Sequence, residues 1–156
     1  MDEIIRPVRL DENSADDFWR LRKELFAELE EIHADSDTSI LEAATKNYYL
    51  AHINRDLFSW GIFQGKELAA IGSLCLFERI PYAENLSGLE GYILSIYTVP
   101  SFRRRGYADH ILDAIIGYAS QNEIKRLWLS ASDPGKLLYA RRGFTEKRNE
   151  MERFIP

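Results

Sequence analysis

The stretch Gly91-Tyr-Ile-Leu-Ser-Ile-Tyr-Thr-Val-Pro-Ser-Phe-Arg-Arg-Arg-Gly-Tyr-Ala-Asp-His110 decides the fold. Tyr92 to Val99 is an apolar run rich in β-branched and aromatic residues, the pattern of a buried strand. Pro100 has no N–H to donate and ends the ladder. A basic turn with one glycine follows, and a helical pattern opens at Ala108. A helix N-terminus reached from a strand through such a turn suits a phosphorylated ligand. Its free amides and dipole favour anions, and Arg103, Arg104 and Arg105 add positive charge.

Outward from this stretch, Ile4 to Leu10 reads as a first strand, and Asn13 or Ser14 caps a helix with Asp16 and Asp17 in its first turn. Phe18, Leu21, Leu25, Leu29 and Ile32 form one apolar stripe. A loop at Ser36 to Ser39 leads to a second helix from Ile40 to about Asn54. Phe58 to Phe63 and Leu68 to Phe77 pattern as strands joined by a hairpin at Gln64-Gly-Lys-Glu67. Pro81 to Gly88 is a loop. The helix after the basic turn is expected to bury Ala108, Leu112, Ile115 and Ala119. Arg126 to Ser130 reads as a short strand, Pro134 to Arg142 as a helix, and Phe144 to about Phe154 as a closing strand. Strands and helices mix without strict alternation, which predicts an α+β sheet flanked by helices.

At 156 residues the chain suits one domain spanning 1–156, able to bury roughly two-thirds of its unfolded surface. The net charge of −5 argues against a general nucleic-acid binder. The charge is uneven. Glu24, Glu28, Glu30, Glu31, Asp35, Asp37 and Glu42 follow one another with no lysine or arginine after Glu24, whereas basic residues gather at Arg103 to Arg105 and from Lys136 to Arg153. No run approaches the ~20 apolar residues that span a bilayer, and the N-terminus lacks a signal-peptide pattern, so a cytoplasmic location is expected. Cys75 stands alone, within an apolar strand, so no internal disulfide is possible. No spacing of His, Cys, Asp and Glu suggests a metal site.

Gly106 permits positive φ and close approach of a phosphate, and the surrounding amides can converge on one anion. The turn is neither a P-loop nor a dinucleotide fingerprint, since Gly-Lys-Ser/Thr and Gly-x-Gly-x-x-Gly are both absent. About thirty residues on comes Ser132-Asp-Pro-Gly-Lys-Leu-Leu-Tyr-Ala-Arg-Arg-Gly-Phe144. Together, Val99-Pro100, Arg-x-x-Gly-x-Ala, the helix after it and Leu-Tyr-x-x-x-Gly-Phe resemble the GNAT superfamily of N-acetyltransferases. The element order over nearly the whole chain resembles it too. The resemblance implies a mixed, mostly antiparallel central sheet with helices on both faces, and acetyl-CoA as co-substrate.

By that resemblance, the amides of Arg104, Arg105, Gly106, Tyr107, Ala108 and Asp109 hold the pyrophosphate. Ile96, Tyr97 and Thr98 sit where the family's strand bulges and pairs with the pantetheine arm. The Ile96 N–H is the one expected to polarise the thioester carbonyl. Ser132 stands where the family often has Asn, a longer hydrogen-bonding arm. Tyr139 matches the tyrosine that serves the leaving thiolate. A phenol at pKa ~10 gives its proton to a thiolate of pKa ~8.5 only uphill, by about 2 kcal/mol, so a hydrogen bond matters more than full transfer.

The base is less defined. Glu90 and Tyr92 alternate onto one strand face, and some members carry glutamate at the position of Tyr92. Glu90 is thus a candidate acting through water, with an exposed loop carboxylate as the competing reading. His33 and His52 lie in the segment lining the family's acceptor site, and each also reads as an ordinary surface residue. The function expected is direct transfer of an acetyl group to a primary amine, either a small cationic molecule or a peptide. The acidic segment is an attractant for such an amine or simply a solvated face. A non-catalytic acetyl-CoA sensor or structural subunit is the alternative, and a homodimer is compatible with the family.

Overall fold

The computed structural model describes residues 4–156. Its centre is a five-stranded sheet in the order β1-β2-β3-β4-β5, built from β1 (Val8–Arg9), β2 (Leu57–Gln64), β3 (Glu67–Glu78), β4 (Leu89–Thr98) and β5 (Arg126–Leu129). The first four strands are antiparallel neighbours, and β5 joins β4 in parallel. This is the α+β, mostly antiparallel sheet expected, with helices on both faces.

The helix α3 (Tyr107–Gln121) covers one face, packing Tyr107, Ile111, Leu112, Ile115 and Ala119 onto Trp60, Ile62, Ala70, Leu74 and Ile93. Ile111 takes the buried place expected of Ala108, which is half-buried. On the other face α1 (Ala15–Glu28) and α2 (Ser39–His52) bring Phe18, Leu21 and Tyr49 against Leu68, Ile71 and Tyr97. The hairpin between β2 and β3 closes through Gly65 at φ +60, a conformation open to glycine at no steric cost.

Four expectations need correction. The first strand does not run from Ile4 to Leu10; only Val8 and Arg9 pair, with Gly61 and Trp60. Pro7 has no N–H to extend the ladder. The first helix stops at Glu28, so Leu29 and Ile32 lie beyond it, and Glu30 at φ +60 turns the chain away. The closing strand from Phe144 to Phe154 does not form: residues 145–156 have no strand, and Met151 and Phe154 are 99% and 84% exposed. Nine of those twelve residues are polar or charged, or proline, and Met151, Phe154 and Ile155 do not alternate at the period of two that a strand buries. The helix α4 (Lys136–Ala140) is shorter than the expected Pro134–Arg142, with a 3-10 turn at Asp133–Gly135 before it.

Candidate active site

The site begins where β4 and β5 part. They pair from Glu90↔Arg126 to Ile93↔Leu129; β5 then ends while β4 continues to Thr98. The β5-side edge of Leu94 to Thr98 therefore has no strand beside it among the described residues. On its other edge β4 bulges: Leu94 pairs with Ser73 and Tyr97 with Ile71, so that Ser95 and Ile96 together face Gly72. Ser95 adopts φ +56, which for a residue with a Cβ costs about 1–2 kcal/mol. The bulge turns Ile96 toward the α3 face and Tyr97 toward the α1–α2 face. Burial, with the Glu24 carboxylate alongside, pushes the Tyr97 phenol up to about 12.

Beyond Thr98 the chain passes through a 3-10 turn at Pro100–Phe102 and enters the basic turn. Arg104 and Gly106 both have positive φ, at +64 and +79, and alternation of this kind points successive amides into one concavity. The first helical hydrogen bond of α3 is His110 N–H to Gly106 carbonyl, 3.1 Å. The amides of Tyr107, Ala108 and Asp109 lie ahead of it and are free of intrahelical partners. The Arg104 and Arg105 side chains are exposed. Arg103 is occupied: it donates to the Thr98 carbonyl at 2.9 Å and to the Glu28 carboxylate at 2.6 Å. Asp109 pairs with Arg142 and, at 3.6 Å, with Arg141, which offsets its negative charge beside the turn. These groups fit a pyrophosphate: the helix start offers open backbone donors, and Arg104 and Arg105 form no ion pair among the described residues.

Tyr139 lies on α4, half-buried, with its ring 6.0 Å from that of Phe144 in an edge-on arrangement. Gly143 at φ +86 reverses the chain after α4 and brings Phe144 back onto Tyr139, which explains the Leu-Tyr-x-x-x-Gly-Phe spacing. Burial raises the Tyr139 pKa, so the phenol stays protonated through the neutral range. Ser132 is exposed, and its carbonyl accepts from the Gly135 N–H at 3.0 Å. A cavity of about 1310 Å³ lies between α3, β5 and the chain after α4, with Tyr139 on its wall. Neither Gly106 nor Ile96 lines it, so it is not the cleft that leads to the phosphate turn.

The other side of β4 holds a polar and aromatic surface. Glu90 is not an exposed loop carboxylate; it sits on β4, 0% exposed. It accepts from Arg126 at 2.9 Å, from Arg79 at 3.5 Å and from the Tyr82 hydroxyl. Burial by itself raises its pKa, but these hydrogen bonds and charges outweigh that and hold it below the usual carboxylate value. The Tyr92 ring lies 4.5 Å from that of Trp128 of β5, tilted by 57°, and Phe77 meets the same indole edge-on. His52 closes α2, bonded to Asp56 at 2.7 Å and stacked on Tyr48. His33 is exposed beyond α1. Cys75 is half-buried and 4.0 Å from the Tyr48 hydroxyl, and burial raises its thiol pKa. Among the described residues no group of His, Cys, Asp and Glu can hold a metal ion, and no helix is long and apolar enough to cross a membrane.

Arg22, whose Nη1 donates to the Ser95 hydroxyl at 2.5 Å, and Arg126, Tyr82 and Trp128 around Glu90 and Tyr92 are the neighbours of β4 that sequence reading missed. A basic residue on a helix and a tryptophan in a short strand are too common to single out. The pairing of β5 with β4 brings in Arg126 and Trp128, the docking of α1 brings in Arg22, and the loop between β3 and β4 brings in Tyr82.

Residues 17–144 match the acetyltransferase (GNAT) family, and the chain belongs to that family. Its members use acetyl-CoA as the acyl donor, and the chain is an acetyltransferase of this kind. A predicted acetyltransferase with acetyl-CoA from Clostridium acetobutylicum is similar at 24% identity and TM-score 0.83, over 97% of this chain and 96% of that one. A GCN5-related N-acetyltransferase from Ralstonia eutropha JMP134 has 25% identity and TM-score 0.80, over 97% and 98%. Glucosamine-6-phosphate N-acetyltransferase from Arabidopsis thaliana has 16% identity and TM-score 0.71, over 99% and 100%, a likeness of fold alone. No curated protein matches the chain in sequence.

Proposed function

We propose that this acetyltransferase moves the acetyl group of acetyl-CoA directly onto the nitrogen of a primary amine. The observation that carries this reading is the fork of β4 from β5, whose open edge leads through the bulge at Ser95–Ile96 to the positive-φ turn at Arg104–Gly106. In it the pyrophosphate lies against the amides of Arg104, Arg105, Gly106, Tyr107, Ala108 and Asp109, and the pantetheine arm runs along Ile96, Tyr97 and Thr98. Ser132 adds a hydroxyl near the start of α4.

In the transfer the amine lone pair attacks the thioester carbon. A nitrogen–carbon bond forms, the carbon–sulfur bond breaks, and the amine proton leaves to solvent. The Ile96 N–H stabilises the charge that develops on the carbonyl oxygen. The Tyr139 hydroxyl donates to the departing sulfur; with its pKa raised by burial it acts as a hydrogen-bond donor more than as a full acid. Cys75 is no acyl carrier, since burial raises its thiol pKa and the thiolate is the nucleophile. Glu90, held by two guanidinium groups and a phenol, is suited to anchoring β4 to β5 and to the 79–88 loop. A general base near pKa 7 is favoured at neutral pH, and the lowered Glu90 value runs the other way. Tyr92 and Trp128 line the acceptor side.

The acceptor is a cationic amine drawn by the acidic chain after α1. Glu28 and Glu42 there are already paired, with Arg103 and Lys46, but Glu30, Glu31 and Asp35 are exposed. A cytoplasmic setting is part of the same proposal. A screen of primary amines followed by release of free coenzyme A thiol tests the reading. Turnover on at least one amine, slowed about tenfold to a hundredfold in Tyr139→Phe, is the expected outcome. Acetyl-CoA binding without turnover on any amine would instead favour the non-catalytic sensor.

A further inference from the structure

We propose that Arg22 is a positioning residue for acyl transfer: by donating to the Ser95 hydroxyl it holds the β4 bulge in the form that aims the Ile96 N–H at the thioester carbonyl. This rests on the acetyl-CoA reading above and goes beyond it to a residue on the opposite face of the sheet.

Four observations converge. Ser95 is the one residue of β4 with positive φ, and it carries a Cβ, so its conformation has to be held by its surroundings. What touches its side chain is Arg22, whose Nη1 lies 2.5 Å from Ser95 Oγ across 73 residues of sequence. The Arg22 guanidinium forms no ion pair among the described residues. It lies 4.6 Å over the Phe26 ring, with its Nε buried and unbonded. A cation kept in such a place with no carboxylate in ion-pair reach, only the more distant Glu31 charge acting on it, is costly, and here it stands beside the one strained residue of the donor-binding strand.

The fourth observation is that the contact continues along α1. Glu24 lies beside Tyr97, and Glu28 holds Arg103, which in turn holds the Thr98 carbonyl. The helix thus grips β4 at residues 95, 97 and 98, and Arg22 supplies the grip at the bulge. Direct use of Arg22 by an acceptor anion is less favoured, because Nε is closed to solvent and Nη1 is engaged by Ser95.

The test compares the affinities of acetyl-CoA and S-ethyl-CoA, a thioether that keeps the chain but lacks the carbonyl oxygen. The wild type should prefer acetyl-CoA by about fivefold, the value of one ordinary hydrogen bond. Ser95→Ala and Arg22→Met should bring that ratio to within twofold of one, with S-ethyl-CoA binding unchanged. Ser95→Gly should keep the preference, since glycine adopts positive φ unaided, and should make Arg22→Met silent when the two are combined. An intact ratio in Arg22→Met, or a ratio lost equally in the combined variant, would overturn the proposal. So would an Arg22→Met effect confined to the KM of the amine acceptor. Should Arg22→Met fail to fold, Ser95→Ala against Ser95→Gly decides, because both lack the hydroxyl and only alanine keeps the Cβ. Wild type that binds neither ligand would instead overturn the donor assignment beneath it.

Discussion

Glu90 carries two guanidinium neighbours and a phenol on one buried carboxylate, so its ionisation is coupled to folding. Its pKa in the folded chain lies below the ordinary value. The unfolded chain therefore takes up the proton first, and the stabilisation is complete above about pH 4.3 and lost as pH falls through the depressed folded value. Glu90→Gln should cost about 2 kcal/mol at neutral pH, the value of a hydrogen bond between charged groups, by leaving the partly exposed Arg126 without its carboxylate. In urea unfolding, its gap from wild type should narrow below about pH 4; a gap independent of pH would mean that charge is not what Glu90 contributes. At Tyr139 the expectation is a split. Tyr139→Phe should lower kcat by about tenfold to a hundredfold, the value of one hydrogen bond to a charged group, while acetyl-CoA affinity stays within twofold, because the ring still packs on Phe144. A change in affinity alone would make Tyr139 a packing residue. Neither the burial of Glu90 nor the strain at Ser95 was legible in the sequence. Both depend on groups brought from outside the strand: Arg126 from β5, Tyr82 from the preceding loop and Arg22 from α1.

The elements themselves were more legible, because strand and helix periods are local. The hairpin, the strand β4, the turn and α3 stand where apolar pattern, proline and glycine put them. Failures came at the ends, where Pro7 cut the first strand to two residues and the charged chain after Phe144 formed none. Amides of residues 145–156 should accordingly exchange with deuterium within seconds while those of Leu74 and Ile93 remain protected; protection across 146–154 would show a strand there. Gly72 belongs to the same scale. A Cβ on it would lie 2.3 Å from Ile111 Cγ2 and 2.6 Å from Ile96 Cδ1. Gly72→Ala should therefore push α3 off the sheet at the bulge, lowering stability by about 2 kcal/mol. An unchanged melting temperature would mean that Ile96 and Ile111 repack freely.

Across the whole molecule the charge is divided, with exposed Glu30, Glu31 and Asp35 after α1 and exposed Arg104 and Arg105 before α3. Under the proposed function, the acidic part would attract a cationic acceptor and the basic part the anionic donor. Reversing the three acidic residues to lysine should raise the KM for a polyamine probe several-fold at low salt, leave kcat alone and weaken the salt dependence. An unchanged KM would return the segment to an ordinary solvated surface. The central claim, that acetyl-CoA is held at the turn before α3, is tested most directly by titrating it calorimetrically into wild type, Gly106→Ala and Gly106→Glu. There is room for a side chain at this position, the nearest atoms being those of the His110 ring at 4.0 Å. Alanine thus adds only the strain of positive φ, and glutamate adds a negative charge to it. Binding that weakens modestly in Gly106→Ala and disappears in Gly106→Glu, both variants being folded, is the expected result. Equal affinity in all three proteins, or none in the wild type, would contradict it.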